Sequence, residues 1–194
     1  LIAISPIIPH FSNECLEMIK RGVSLDYIHF HSYPAINKQS INNVKKILNI
    51  LLQYQLKSTL YLVPLLSIQQ KIMELIPDKY WVIFFRRYMV QIANDVANKY
   101  SALALVTGES VGQVASQTLS NMRAISDVSK LPILRPLSGF NKEEIINKAN
   151  DINTYQISIE PYEDCCSFFV PTHPETKAKL NEINKIDDML NFKD

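Results

Sequence analysis

The strongest constraint on this chain is an alternation that repeats along its 194 residues. Apolar runs of strand length give way to longer stretches with helical spacing, and then to the next apolar run. Leu1–Ile4, Leu25–His31, Ser58–Val63, Leu103–Val106 and Pro132–Leu134 read as strands. Asn13–Lys20 reads as a helix closed by the Arg21-Gly22 stop signal. Ile41–Tyr54 carries an apolar stripe through Val44, Ile47, Leu48, Leu51 and Leu52. Ile68–Leu75 and a long, buried Tyr80–Tyr100 are the next helices, followed by Val111–Arg123. Asn141–Ala149 has Asn141 as N-cap and Glu144 where a capping box needs it. A short strand is expected near Gln156–Ile159, and a polar helix after Pro174. Repeated strand–helix units require parallel pairing with right-handed crossovers. The expected fold is therefore α/β, a Rossmann-like, three-layer open parallel sheet of about five strands with helices on both faces.

Composition narrows the function classes. Hydrophobic residues make up 47%, enough for a substantial core, and the net charge of +1 gives no global electrostatic case for nucleic acid. No apolar run reaches the ~18 residues of a membrane span. The N-terminus lacks the basic region of a signal peptide. It begins inside an apparent strand and without Met, which reads as an excised domain. The three cysteines, two of them adjacent, make no disulfide framework and point to a reducing cytoplasm.

Ligands of open parallel sheets sit beyond the carboxyl ends of the strands, where the strand order switches. The exits here carry His29-Phe30-His31-Ser32, Thr107-Gly108-Glu109 and Arg135-Pro136-Leu137. Val106–Thr118 is the most informative of these stretches, because Gly108 and Gly112 are two of the chain's four glycines. A glycine at a strand-to-helix turn lets backbone approach a ligand. The uncharged Ser, Gln and Thr that follow suggest a ligand-facing surface rather than a solvated one. A polar helix start after an ordinary tight turn fits the residues equally well. Arg86-Arg87, read alone, is a solvated charge pair or a salt bridge, and His29 a packed strand residue. Lys142 sits in a helical first turn, where the macrodipole disfavours a cation unless an anion is present. Cys165-Cys166 lacks zinc-ligand spacing, and an adjacent pair is strained as a disulfide. Cys15, among Leu16 and Ile19, reads as core.

Taken in order, His-Phe-His-Ser, Arg86-Arg87-Tyr88-Met89, Val106–Thr118, Leu134–Leu137, Asn141–Ile146 and Pro161–Cys166 resemble the tRNA 4-thiouridine synthetase (tRNA sulfurtransferase) family. The likeness is to its adenylating domain, a PP-loop ATP pyrophosphatase of the adenine nucleotide alpha hydrolase type. It covers residues 1–177, leaving 178–194 as a polar helical tail. The resemblance implies that ATP, with magnesium, adenylates O4 of a tRNA uridine, and that persulfide sulfur then displaces AMP. It further implies a possible supply of sulfur for the thiamine thiazole. The nucleotide would be held around Ile4, Ser5, His29, Phe30, Arg86, Gly108 and Gln117. Lys142 and Cys165 would be catalytic, with Cys166 the second choice for the sulfur-handling thiol. Implied partners are tRNA, with position 8 as target, a cysteine desulfurase as sulfur donor, and a second copy in a homodimer. The implied setting is the cytoplasm, with no membrane. Family members also carry N-terminal tRNA-binding domains, and some a C-terminal rhodanese domain.

One segment departs from the family pattern. The PP-loop reads Ser-Gly-Gly-x-Asp-Ser, whereas Ser5 here precedes Pro6-Ile7-Ile8-Pro9-His10-Phe11-Ser12. Two prolines remove N–H donors, and β-branched residues resist the positive φ of a phosphate nest. This loop is expected to bind pyrophosphate poorly. A degenerate relative, a compensated frame slip, and phosphate held by Arg86, Lys142 and the Gly108 turn are three accounts of it. Two other classes compete with the main reading. One is a non-catalytic nucleotide- or RNA-binding module. The other is a PP-loop ligase or amidotransferase partner acting on a small molecule, against which the Cys165 block argues.

Overall fold

The computed structural model describes residues 1–5, 8–165, 169 and 171–190. Five parallel strands form one sheet: β1 (Ile2–Ser5), β2 (Asp26–His31), β3 (Leu60–Pro64), β4 (Leu105–Thr107) and β5 (Ile133–Leu134). Their spatial order is β3-β2-β1-β4-β5. The order reverses between β1 and β4, where Ile2 pairs with Leu105 and Ile4 with Thr107. The open parallel α/β sheet expected from the alternation is thus present, switch point included.

Period-2 burial divides the strands between two cores. Ile2, Ile4, Ile28, Phe30 and Leu105 face one side. There they meet α3 (Leu66–Leu75), α4 (Trp81–Lys99), α5 (Leu119–Ser126) and α8 (Leu180–Leu190). Ala3, Leu25, Tyr27 and Val106 face the other, against α1 (Ile8–Ile19) and α2 (Gln39–Leu51). The remaining helices, α6 (Lys142–Asp151) and α7 (Tyr155–Ser158), pack beside α1. Cys15 lies in the second core, fully buried with Phe11 and Val44, as its apolar neighbours indicated. Within the stretch 178–194, Ile183 of α8 is fully buried. Arg87 of α4 bonds Asp187 of α8 at 2.6 Å and also donates to Ala124 O, tying α4 to both α8 and α5. That pairing is the salt-bridge reading of Arg87.

Three expected elements differ. Helix α1 begins at Ile8, not Asn13, so it takes up much of the segment read as a loop. Pro9 falls in its first turn, where a helix tolerates proline because that N–H has no intrahelical partner. The reading of Val111–Arg123 as one helix is not met. Gly112 adopts φ +78° and its N–H donates to Gln117 O at 2.9 Å, closing a turn. A 3-10 turn follows at Ala115–Gln117, and Thr118 caps α5 by accepting from Asn121 N at 3.3 Å. The polar side chains read as a helix face are turn and cap residues. The strand expected near Gln156–Ile159 is the single helical turn α7, with Ser158 N bonded to Thr154 O. Its Gln-Ile-Ser-Ile alternation is too short to separate the two periods. The capping box is present as expected: Asn141 Oδ1 accepts from Glu144 N at 2.9 Å, and Glu144 Oε2 from Asn141 N at 2.7 Å.

Candidate functional site

The carboxyl ends of β1, β2 and β4 bring Ile4, Ser5, His29, Phe30 and Gly108 to one edge of the sheet. Ile4 and Phe30 are buried apolar side chains, so backbone is what they offer a ligand, whereas the buried Ser5 Oγ has no hydrogen-bond partner and could also meet one. His29 is 3% exposed between Ser5 O and Ser40 Oγ, both at 3.3 Å. Burial lowers its pKa to about 4, so the ring is neutral, with the Nδ1 proton donated to the Ser5 carbonyl. It is the packed histidine that its place in a strand suggested.

Gly108 has no room for a side chain. A Cβ there would stand 2.1 Å from Glu14 Oε2 and 2.8 Å from His10 Cβ. The close approach that requires glycine is therefore made by α1. His10 Nδ1 donates to Gly108 O at 2.9 Å. Its pKa is lowered, chiefly by burial, with the charge of Arg86 adding and the Gly108 bond opposing. Both Glu14 carboxyl oxygens are buried with no hydrogen-bond partner. Burial first, and the charge of Glu109 second, raise the Glu14 pKa well above its ordinary value, which favours the protonated carboxyl.

That proton has a consequence for stability. The folded carboxyl keeps a proton that the unfolded chain releases near pH 4.5. Stability is therefore lost as pH rises from that value toward the folded pKa, by at most about 1.4 kcal/mol per pH unit. Urea unfolding of wild type and Glu14→Gln across pH 5–8 should show the variant gaining relative to wild type as pH rises. Parallel curves would place the Glu14 carboxyl in water.

Glu109 is the hub of the β4 exit. It is 4% exposed and accepts from Arg86 Nη1 at 2.9 Å, Arg135 Nε at 2.6 Å and Thr107 Oγ1 at 3.0 Å. Arg135 also donates to Ser126 Oγ at 2.6 Å. One carboxylate thus joins α4, β4, α5 and the β5 exit. Arg86, expected to contact ATP, forms the buried salt bridge that its sequence context allowed, while its Nε has no partner.

The turn after Glu109 leads to the second half of the site. Ser110 Oγ donates to Phe140 O at 2.6 Å, and Val111 N to Ser138 O at 3.1 Å. A cleft of about 320 Å³ opens between these loops, lined by Gln113, Ser138, Asn141 and Lys142 among others. Lys142 is the first residue of α6 and is exposed. Gln117 is 1% exposed, and its Oε1 is buried without a partner. An orphaned amide oxygen costs about 1–3 kcal/mol unless a ligand donates to it.

Cys165 is absent from the lining of this cleft and belongs to the core on the α3 and α4 face of the sheet. It is 2% exposed, and its carbonyl accepts from Gln69 Nε2 at 2.6 Å. Cys166, the second-choice thiol, lies outside the described residues, as do Pro6 and Ile7 of the altered loop. Among the described residues, no group of three or more His, Cys, Asp or Glu is placed to hold a metal ion. No helix of the described residues is long and apolar enough to cross a membrane.

Sequence reading missed His10, Glu14 and Gln69, whose roles come from contacts far apart in the chain. Glu109 and Arg135 carried a signal, since opposite charges stand at exits of strands that end side by side.

Comparison with known proteins places this geometry. Residues 14–192 match the model of the family described as "Thiamine biosynthesis protein (ThiI)". A relative in Lactobacillus gasseri, named a probable tRNA sulfurtransferase, is 44% identical over 172 residues, covering 89% of this chain and 42% of its own length. A relative in Acetivibrio thermocellus with the same name is 45% identical over 175 residues, covering 90% and 45%. The chain thus spans less than half the length of these curated relatives. Among solved structures, a 4-thiouridine synthetase–RNA complex with bound ATP superposes with TM-score 0.90 at 37% identity, over 97% of this chain and 50% of that one. An NMN synthetase from Francisella tularensis, at 8% identity and TM-score 0.58, shares the fold; it covers 97% of this chain and 76% of its own.

Proposed function

Because the chain belongs to the family of the thiamine biosynthesis protein ThiI, we propose that it is the adenylating domain of an ATP-dependent tRNA sulfurtransferase. The observation that carries this reading is the near-complete superposition on a 4-thiouridine synthetase that holds ATP and RNA. The nucleotide would lie along the carboxyl ends of β1, β2 and β4. Backbone of Ile4, Ser5, His29 and Phe30 would meet the adenosine, and the orphaned Gln117 Oε1 would accept from it. Lys142, exposed at the mouth of the cleft, would face the phosphates. Attraction to the phosphates would offset what the macrodipole costs a cation in a first helical turn. Magnesium would enter on the phosphate oxygens.

In the proposed reaction O4 of a tRNA uridine attacks the α-phosphorus, and pyrophosphate leaves. The terminal sulfur of a donor persulfide then attacks C4, and AMP carries O4 away. Cys165 attacks the remaining S–S bond, which releases 4-thiouridine and leaves a disulfide with the donor cysteine. A cysteine desulfurase as sulfur source, a homodimer, the cytoplasm and a role in thiamine thiazole supply belong to the same reading.

The departure at Ser5–Ser12 bears on nucleotide affinity. It lies wholly before the family match, which begins at residue 14. Pro9 withdraws one N–H from the first turn of α1, and a neutral His10 adds no cation to that turn. ATP binding and ATP–pyrophosphate exchange with tRNA test the proposal. Measurements should compare wild type, Lys142→Ala, and a form with the Ser-Gly-Gly-x-Asp-Ser loop restored. Restoration should strengthen ATP binding, and Lys142→Ala should lower exchange at least about tenfold. If the restored form fails to bind ATP, the proposal falls.

A further inference from the structure

Gln69 is fully buried on α3, yet both ends of its amide are used. Its Oε1 accepts from Ser32 Oγ at 2.5 Å, and its Nε2 donates to Cys165 O at 2.6 Å. Ser32, also fully buried, directly follows β2, whose exit bears His29 and Phe30. The amide therefore spans from the strand exit proposed for the adenosine to the turn that bears the proposed sulfur-handling thiol. Its three participants come from distant parts of the chain, with separations of 37 and 96 residues. A core position on α3 could be filled by leucine or methionine at lower desolvation cost. An amide is needed only where one side must accept and the other donate.

We propose that Gln69 is a positioning residue for sulfur transfer: it fixes the Cys165 backbone relative to the β2 exit, with Ser32 anchoring the other end of its amide. The proposal rests on the reading of Cys165 as the thiol of the second half-reaction. Because the Cys165 carbonyl can only accept, it takes the Nε2 end of the amide, and the Ser32 hydroxyl donates to the Oε1 end that is left. Losing the Nε2–H donor frees the Cys165 turn while the adenylating side keeps its own contacts. The signature is a split: the thiol becomes more reachable by small reagents and less effective in transfer.

The test uses Gln69→Glu, which keeps an acceptor for Ser32 and removes the donor to Cys165, and Gln69→Met, which keeps the bulk and removes both. For labelling alone, each is made in a Cys166→Ser background and compared with Cys166→Ser itself, so that label on the Cys-Cys peptide reports one thiol. Iodoacetamide labelling of Cys165 should accelerate roughly tenfold in both variants, with the buried Cys15 as the unlabelled reference. In the full-length protein, sulfur transfer to tRNA should fall roughly tenfold while ATP–pyrophosphate exchange stays within about twofold. Ser32→Ala, which adds no bulk, should give the same split in smaller measure and serves if the Gln69 variants do not fold. Labelling at the rate of Cys166→Ser itself in folded variants overturns the proposal, as does an equal fall in exchange and transfer. Full sulfur transfer by Cys165→Ser would instead overturn the assignment of the thiol, and the labelling rates would still decide whether Gln69 holds that turn.

Discussion

Glu109→Ala is expected to cost about 3–5 kcal/mol of folding stability, the loss that follows when one member of a buried ionic network is deleted and its partners stay behind. Arg86 is 5% exposed and Arg135 shares the same carboxylate, so two guanidinium groups lose their anion at once. The network also joins α4, β4, α5 and the β5 exit, so the loss spreads along the ligand edge of the sheet. ATP affinity should fall with it, because Arg86 loses the anchor that fixes its guanidinium. Guanidinium chloride denaturation gives the stability change. Adding Arg86→Met to Glu109→Ala should recover part of it, since a buried unpaired cation is then removed. A loss below about 1 kcal/mol would mean that water reaches both guanidinium groups.

Gly108→Ala is the second large effect. A methyl group at this position would have to displace the Glu14 carboxyl and the backbone-near part of His10, not just a flexible chain end. Overpacking of this kind costs about 1–3 kcal/mol, and the nearness of His10 Cβ puts this site at the upper end. The His10 bond to the Gly108 carbonyl would stretch, moving the turn that the nucleotide is proposed to meet. Thermal unfolding and ATP titration measure the two consequences. Glu14→Ala in the Gly108→Ala background should return part of the stability, because the nearest obstructing atom is gone. If the two changes add independently, the contact between α1 and the β4 turn does not exist in solution.

What could be read from the sequence was what depends on neighbours in the chain. The strands, the long helix α4 and the Asn141 capping box follow from periodicity and from side chains bonding backbone within four positions. The parallel sheet followed from the alternation, and its switch point marks where a candidate site is expected. The segment Val111–Thr118 misled because Ser, Gln and Thr serve equally on a helix face and in a turn. The fact that decided between them, Gly112 N–H bonded to Gln117 O, is a backbone event that composition does not announce. The α1 start was hidden by Pro9, which reads as a breaker but is at home in a first turn. The buried Glu14 and the Ser32–Gln69–Cys165 connection were not legible at all. Each joins residues whose proximity exists only once the whole sheet has formed.

The central place of β1 has a consequence for synthesis. Its partner on one side, β2, follows closely in the chain, but its partner on the other, β4, is not made until Leu105. At ribosomal rates, a separation of that length corresponds to roughly 5–20 s of translation. During that interval the emerging chain presents a bare, apolar strand edge, the kind of surface that recruits other chains. Holding factors that bind extended apolar segments should therefore act on this polypeptide before β4 emerges and lose their grip once it docks. Ribosome-bound chains halted before and after residue 107 should differ sharply in their capture by such factors.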